Sequence, residues 1–204
     1  MWIPSWQTWS RMALCRPASV SVLLVASGLS SVSASDPVVI NEVLADPPGN
    51  DHHEEFVELF NAGADPVELE GWRIGDAEEE DAIIDAGDGT TLPPGGFAIV
   101  VDASYFGASA VYDSMRGWAR IVTIEDRSFG RAGWSNSSPE SVLLRDQRGA
   151  TVDSVAYDPS DGVSGHSWER RSGLPILQPS HLAGGTPGRA NSVDQQPAPP
   201  GGVE

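Results

Sequence analysis

Two short runs decide the fold of this chain: FAIVV at residues 97–101 and VDSVAY at residues 152–157. Along each run, successive side chains point to opposite faces and meet different surroundings, which is the pattern of a β-strand. Comparable runs of Val, Ile, Leu and aromatic residues recur after Pro37, separated by Gly, Pro, Asn and Asp. The pattern predicts strands at residues 38–44, 56–61, 67–69, 72–75, 97–101, 121–124, 141–145, 152–157 and 167–170.

The fold class that this pattern predicts is all-β. Several short strands with regular turn signals, and no convincing helix between them, favour a sandwich of two sheets over a parallel α/β design. A closed barrel fits the same pattern and is the alternative architecture.

The N-terminal residues have the pattern of an export signal. Arg11 and Arg16 precede an apolar run at residues 18–29, which the small residues up to Ala34 follow. This predicts a signal peptide at residues 1–34, cleaved after Ala34. Because the run is shorter than the roughly 20 apolar residues of a spanning helix, we expect no transmembrane segment in the mature chain. The expected location is secreted, or at the cell envelope or surface.

Cleavage would remove Cys15, the only cysteine of the chain. Neither disulfides nor thiolate metal sites could then stabilise the mature fold, which must depend on a buried apolar core. The length suits one domain, predicted at residues 35–192. The Pro- and Gly-rich residues 193–204 contain too few apolar side chains to fold and are predicted to be a disordered tail.

The charge of the chain is strongly negative. The formal net charge is −17, and the chain contains 29 acidic and 12 basic residues, all of the basic ones arginine. Because nucleic-acid binding depends on Lys and Arg neutralising phosphates, this composition disfavours nucleic acid as a partner. Surface acids that keep an exported protein soluble are the simplest explanation, and binding of cations is the other.

An acidic stretch at residues 76–88 is predicted to be a loop. Carboxylates there could supply some of the six to eight oxygen ligands that calcium takes. The stretch lacks the Asp-x-Asp-x-Asp-Gly order of a dedicated calcium loop, so a hydrated loop is the main interpretation and no cofactor is otherwise expected. The calcium candidates are Asp76, Glu78, Asp81, Asp85 and Asp88.

Two further segments contain residue types used in catalysis. His52 and His53 could bind a transition metal, but adjacent side chains of an extended chain point in opposite directions. The segment GVSGH at residues 162–166 resembles a nucleophile turn, but it is one residue short of Gly-x-Ser-x-Gly. Neither segment predicts an enzyme.

Seven motifs occur in an order that resembles one family. They are NEVLADP at 41–47, EEFVELFN at 54–61, VELEGWRIGD at 67–76, LPPGGFAIVV at 92–101, SNSSPESVLLRDQRGATVDSVAY at 135–157, SWERR at 167–171 and TPGRAN at 186–191. Together they resemble the lamin-tail domain, as found in many exported bacterial proteins. The resemblance implies an immunoglobulin-like β-sandwich that acts as a binding or structural module and not as an enzyme.

The resemblance also implies structural roles. Trp72 is expected to be the large buried aromatic of the core, and Gly149 is expected at the tip of a hairpin. Glu58, and Glu169 with a neighbouring arginine, are expected to form cross-strand ion pairs or to cap a sheet edge.

The section at residues 105–133 is longer and more aromatic than the corresponding connection of the family. Since loops on a rigid sandwich often form binding surfaces, Tyr105, Trp118 and Trp134 are the candidate contacts for a protein or glycan partner at the cell surface. The alternative function is an exported hydrolase or a metal-dependent enzyme accessory, which requires several convergent polar side chains in a deep pocket.

Overall fold

A computed structural model describes residues 38–76 and 78–195 of the chain. The predicted signal peptide at 1–34 and the tail beyond Gln195 lie outside the described residues. The strands are β1 Val38–Leu44, β2 Phe56–Asn61, β3 Val67–Glu68, β4 Arg73–Gly75, β5 Glu80–Asp85, β6 Thr91–Leu92, β7 Phe97–Val101, β8 Ala119–Ile124, β9 Glu140–Arg145, β10 Thr151–Tyr157, β11 His166–Arg170 and β12 Leu177–Ala183. One helical turn, α1, covers Asp51–Glu54, and 3₁₀ turns cover Asp113–Gly117, Pro159–Asp161 and Ser192–Asp194.

Ten of the described strands form one continuous hydrogen-bonded sheet, which β5 divides into two parts that we call the first and the second sheet. The first sheet has the order β12-β11-β1-β2-β7-β8, and the second has the order β10-β9-β4. The first half of β5 pairs with β4, where Ile74 lies opposite Asp81. Its second half pairs with β8, where Ile83 lies opposite Ile124. A strand that changes partners in this way joins the two sheets at one side, while β3 and β6 form a separate short pair.

The main core fills the space between the two sheets. Trp72 is buried there, as the family resemblance implies, with 7% of its surface exposed. Phe129 and Trp134 stack with ring centroids 5.1 Å apart, and Tyr157 stacks on Trp168 at 5.6 Å. One continuous apolar core of this kind supplies the burial that a fold without disulfides requires.

A buried ion pair closes the opposite side of the sandwich. The register of β1 shifts between Ile40 and Glu42, and Ile40 makes two further backbone bonds beside this irregularity. The amide of Ile40 donates to Asp153 on β10 at 2.8 Å, and its carbonyl accepts from Arg170 Nε on β11 at 2.6 Å. Arg170 and Asp153 also form a salt bridge with each other. These contacts connect the last strand of the second sheet to the middle of the first.

A second, smaller core lies on the outer face of the first sheet. β7 and β8 are parallel, so the chain must return the full length of a strand between them. The returning segment places Tyr105 and Tyr112 over Phe56, and the rings of Phe56 and Tyr112 are 5.3 Å apart. The unusual length of this connection is therefore a consequence of the strand topology.

Two of the candidate partner contacts are corrected by this packing. Tyr105 is 1% exposed and belongs to the second core, while Trp134 is 4% exposed and belongs to the main core. Neither side chain is available to a partner in this fold. Trp118, by contrast, is 61% exposed.

Three sequence predictions of local structure are also corrected. The acidic stretch at 76–88 contains strand β5, because its alternate residues Asp81 and Ile83 are buried. Strand β12 was not predicted, since Pro179 and polar residues interrupt its apolar pattern. The predicted tail begins too early at residue 193, because the 3₁₀ turn Ser192–Asp194 packs on the sheet: the amide of Val193 donates to Glu169 at 2.9 Å.

Candidate functional site

The outer face of the first sheet is organised in three rows across its strands. Residues that are directly opposite in the register point to the same face. The upper row lies under the aromatic connection and is part of the second core. The middle row contains three glutamates. The lower row, which is only partly covered, runs through Val39, Phe60, Phe97 and Ala119.

The lower row is the floor of an apolar groove with a volume of about 460 Å³, which we call the lower-row groove. Val39, Phe60 and Phe97 are each partly exposed along it, and the two phenyl rings are 5.0 Å apart. One wall comes from the turn between β11 and β12, at Leu174 and Pro175. The other wall comes from the C-terminal segment, at Ala190, Asn191 and Asp194.

The polar side chains around the groove are already bonded to the protein. Asn41 and Asn191 bond to each other, with Asn41 Nδ2 donating to Asn191 Oδ1 at 2.9 Å. The Arg170 guanidinium is held by Asp153 and by two carbonyls. Ser172 donates to Asp194 from its backbone amide at 3.0 Å. The groove therefore offers apolar surface and few free hydrogen-bonding groups.

Trp118 lies beyond the Phe97 end of the groove. It lines a shallow depression together with Phe97 and Pro93. Its indole faces Gly188 so closely that a Cβ on Gly188 would lie 2.7 Å from Trp118 Nε1. The neighbouring Arg116 is held in a salt bridge with Asp88. A large aromatic that is fixed from one side and exposed on the other has the properties of an interface anchor.

The middle row contains three buried carboxylates. Glu42 on β1 lies opposite Glu58 on β2 and opposite Glu169 on β11, and all three side chains are completely buried. Within the described residues no salt bridge reaches any of them. The expected ion pairs of Glu58 and Glu169 are thus wrong, because Arg170 points to the opposite face of β11 and pairs with Asp153.

Hydroxyl groups and backbone amides take the place of counter-ions. Glu42 accepts from Ser167 Oγ at 2.5 Å and from the amide of Thr186 at 2.8 Å. Glu169 accepts from Ser180 Oγ and Ser192 Oγ, both at 2.7 Å. Glu58 accepts from Asn41 Nδ2 at 2.8 Å and from the amide of Gly188.

Burial raises the pKa of two of these carboxyls. Desolvation raises the pKa of Glu42 to about 7, and the bonds from Ser167 and Thr186 oppose the shift. Desolvation also raises the pKa of Glu58 well above its usual range, and the neighbouring charge of Glu42 adds to the effect. At neutral pH the row therefore retains protons that carboxyls in water would lose.

The sequence pattern around one residue of this row, Glu58, indicates that its side chain is buried, although the strand prediction made no use of it. Glu58 lies two residues from Phe56 and two from Phe60, so all three share one face of β2. An acid between two large apolar residues on one strand face is a candidate for burial. The role of Glu42 could not be found in this way, because the bulge beside it changes the alternation of β1.

The five calcium candidates do not converge. Asp81 is buried and accepts from the amide of Gly130 at 2.9 Å, and desolvation raises its pKa to about 6. Asp76 accepts from two amides of its own turn, and Asp85 does the same. In the ranges 38–76 and 78–195 no group of three or more His, Cys, Asp or Glu residues is placed to hold a metal ion.

The segments with catalytic residue types are bonded to the backbone. His53 Nδ1 lies 2.8 Å from Ser104 Oγ, but that hydroxyl donates to the carbonyl of His52. His166 Nδ1 bonds to the carbonyl of Ser180 at 2.9 Å, and not to Ser164. These hydrogen bonds fix loops: the Ser104 hydroxyl bridges His53 Nδ1 and the carbonyl of His52, and His166 bonds to a backbone carbonyl.

Two sheets packed around one main core define a β-sandwich. The chain belongs to the Lamin Tail Domain family, whose sequence model matches residues 31–159, more than half of the chain. This match confirms the family resemblance and the all-β sandwich. The lamin-tail domain is a non-enzymatic, immunoglobulin-like domain. The match ends before β11, so the middle row and the groove also use residues beyond it.

A comparison with curated proteins finds no match. Ten solved chains are similar, including the crystal structure of a DUF4876 family protein from Bacteroides thetaiotaomicron. That protein is 12% identical, the alignment covers 54% of this chain and 42% of that one, and the TM-score is 0.33. The chain thus spans about two fifths of that structure, and a TM-score of this size does not establish a common fold. No helix among the described residues is long and apolar enough to cross a membrane.

Proposed function

We propose that this protein is an exported, non-catalytic binding module that holds a protein partner in the lower-row groove, with Trp118 as an anchor. The observation that carries the proposal is the position of the exposed Trp118 beside the partly exposed Phe97. Exposed large aromatics next to an apolar groove are typical of protein interaction sites. The N-terminal sequence at residues 1–34 supports action after export.

The chemistry of the groove favours a protein segment over a glycan. Sugar hydroxyls need free donors and acceptors, whereas Asn41, Asn191 and Arg170 are bonded within the protein. An extended segment with apolar side chains needs mainly apolar surface, which Phe60 and Phe97 supply.

The edge of the first sheet is a less suitable site than the groove. Pro179 lies within β12, and the amide of His181 donates to Ser192 Oγ at 2.8 Å. Proline and a covering turn are both features that prevent an added strand from pairing with a sheet edge.

The experiment compares retention of exported and surface proteins from the producing organism on three immobilised forms: wild type, Trp118→Ala and Val163→Ala. Val163 is 59% exposed and does not line the groove, so it is a matched control. We expect one defined protein to be retained by wild type and by Val163→Ala, and its binding to fall at least about tenfold in Trp118→Ala.

A parallel measurement applies the same three forms to an array of surface glycans. If a glycan binds and its binding depends on Trp118, the ligand of the groove is a sugar and not a protein. Equal retention by all three forms in both measurements would refute a binding role for this surface.

A further inference from the structure

The residues Thr186–Asp194, which we call the C-terminal latch, cover the middle row of glutamates. The latch touches each carboxylate through its backbone: Thr186 donates to Glu42 at 2.8 Å, Gly188 donates to Glu58, and Val193 donates to Glu169 at 2.9 Å. One short segment is therefore attached to three neighbouring strands by bonds to three acids.

The shape of the latch is specific to this contact. Gly185, just before it, has a φ of 74°, and a side chain there would collide with Glu42 and Ser167. Gly188 has a φ of 77° and lies against the Trp118 indole. Both positions combine a left-handed backbone with a close approach, which together require glycine.

The charged groups that face the row are predominantly acidic. The strands β1, β2 and β11 contribute the three glutamates, and the connection over the upper row contributes Tyr112, whose pKa is raised mainly by burial and further by Glu54 and Glu42. Strand β12 contributes Ser180 and the exposed His181, and the latch itself contributes Arg189 and Asp194, both exposed. None of the exposed groups is hydrogen-bonded or ion-paired to a middle-row carboxylate within the described chain.

We propose that the C-terminal latch is a pH-dependent closure, docked while Glu42 and Glu58 hold protons and released when both ionise next to Glu169. The latch seals the three carboxyls from water. Ionisation in that sealed site places like charges on adjacent strands without a counter-ion, whereas release of the latch lets water solvate them. The donors of the latch favour the charged form, but they do not outweigh the loss of water.

Release of the latch would change the lower-row groove, because Ala190, Asn191 and Asp194 form one of its walls. It would also uncover the side of Trp118 that rests on Gly188. This consequence rests on the proposed function: a partner held in the groove would be bound at acidic pH and let go as the pH rises through neutrality.

The test is amide hydrogen exchange of the protein by NMR at pH 5.5 and 8.5, corrected for intrinsic rates, without a partner. The amides of Thr186, Gly188 and Val193 report on the latch, and those of Thr151–Tyr157 in β10 report on the sandwich. We expect the corrected exchange of the latch amides to rise on the order of a hundredfold, as the linkage of a carboxyl displaced by two to three pKa units implies. The β10 amides exchange only when the whole domain unfolds, so their protection should stay above that of the latch amides at both pH values.

Glu42→Gln and Glu58→Gln should each remove most of this rise, whereas Glu70→Gln, an exposed glutamate, should leave it unchanged. Equal protection of the latch and β10 amides at pH 8.5 would show that the latch opens only with the whole domain and would overturn the proposal. Latch exchange that does not depend on pH in wild type would overturn it as well. Because no partner is present, these outcomes are independent of whether the groove binds a protein.

Discussion

Glu42 and Glu58 lie directly opposite one another on β1 and β2, and both side chains are completely buried without a salt bridge in the described part of the chain. Because of this pair, we expect the free energy of unfolding to fall as the pH rises, which is the reverse of the usual effect of carboxyl groups. Carboxyls whose pKa is lowered on folding stabilise a protein as the pH rises, whereas these have a raised pKa.

We predict that the free energy of unfolding falls between pH 5 and pH 8. The pKa of Glu42 is about 7 in the fold and 4.5 without it, so the folded state holds more protons between these values. Its contribution is complete below about pH 4.5 and is lost as the pH rises through about 7. The loss from Glu42 is on the order of 2–3 kcal/mol. Urea unfolding at a series of pH values measures it.

Glu42→Gln separates this effect from the repulsion of the whole charge of −17. The variant should show a flatter pH profile, while added salt should reduce only the general repulsion. A Glu42→Gln profile as steep as that of wild type would show that the buried pair does not control the pH dependence.

Replacement of Gly188 by alanine should destabilise the domain more than replacement of Gly149. Both glycines have a left-handed backbone, with φ of 77° and 79°, so both variants carry a strain of about 1 kcal/mol. Only at Gly188 does the added Cβ meet Trp118 Nε1, at 2.7 Å; at Gly149 it meets open space. The free energies of unfolding of the two variants, measured by thermal melting, should therefore differ by at least about 1 kcal/mol. Identical values would contradict the contact between position 188 and Trp118.

The pair of Arg170 and Asp153 should be far more important for stability than the pair of Arg145 and Glu80. Arg170→Met leaves Asp153 largely buried without its partner and removes a bond to Ile40, which should cost about 3–5 kcal/mol. Arg145 is 32% exposed, so Arg145→Met should cost no more than about 1 kcal/mol. Chemical unfolding of both variants provides the comparison, and equal losses would argue against a buried closure of the sandwich.

The aromatic side chains of the connection between β7 and β8 should differ in how much they contribute to the stability of the domain. Tyr105→Ala should cost about 3–5 kcal/mol, because it empties the centre of the second core. Trp118→Ala should change stability by less than about 0.5 kcal/mol, because most of the indole is in solvent. Unfolding curves that rank the two variants in the reverse order would invalidate the assignment of core and surface.

The framework of the fold could be predicted from the sequence, since strands such as β7 and β10 have clear patterns and Trp72 lies in a family motif. The family match and the buried Trp72 confirm that part. Strand β5 could not be found, because its buried Asp81 has the same sequence signature as a solvated acid. The parallel pairing of β7 and β8 has no local signal, since it depends on contacts between distant residues.

The candidate site was only partly predictable for the same reason. Trp118 is exposed, as a candidate contact must be, whereas Tyr105 and Trp134 are buried, and aromatic residues in a long connection look alike in a sequence. The groove combines β1, β2, β7 and the C-terminal latch, whose residues are up to about 150 positions apart; Asn41 and Asn191 are one such pair. Contacts at that separation arise only from the folded topology.

Site-specific photo-crosslinking would locate a partner bound in the lower-row groove. A benzophenone amino acid is placed at Leu174, an exposed residue of the groove wall, in one form and at Val163 in another, and both are irradiated with the surface and exported proteins of the producing organism. We expect one defined protein adduct at position 174, absent at position 163 and reduced by Trp118→Ala in the same chain. The same adducts at both positions, or none at position 174, would contradict a protein-binding groove.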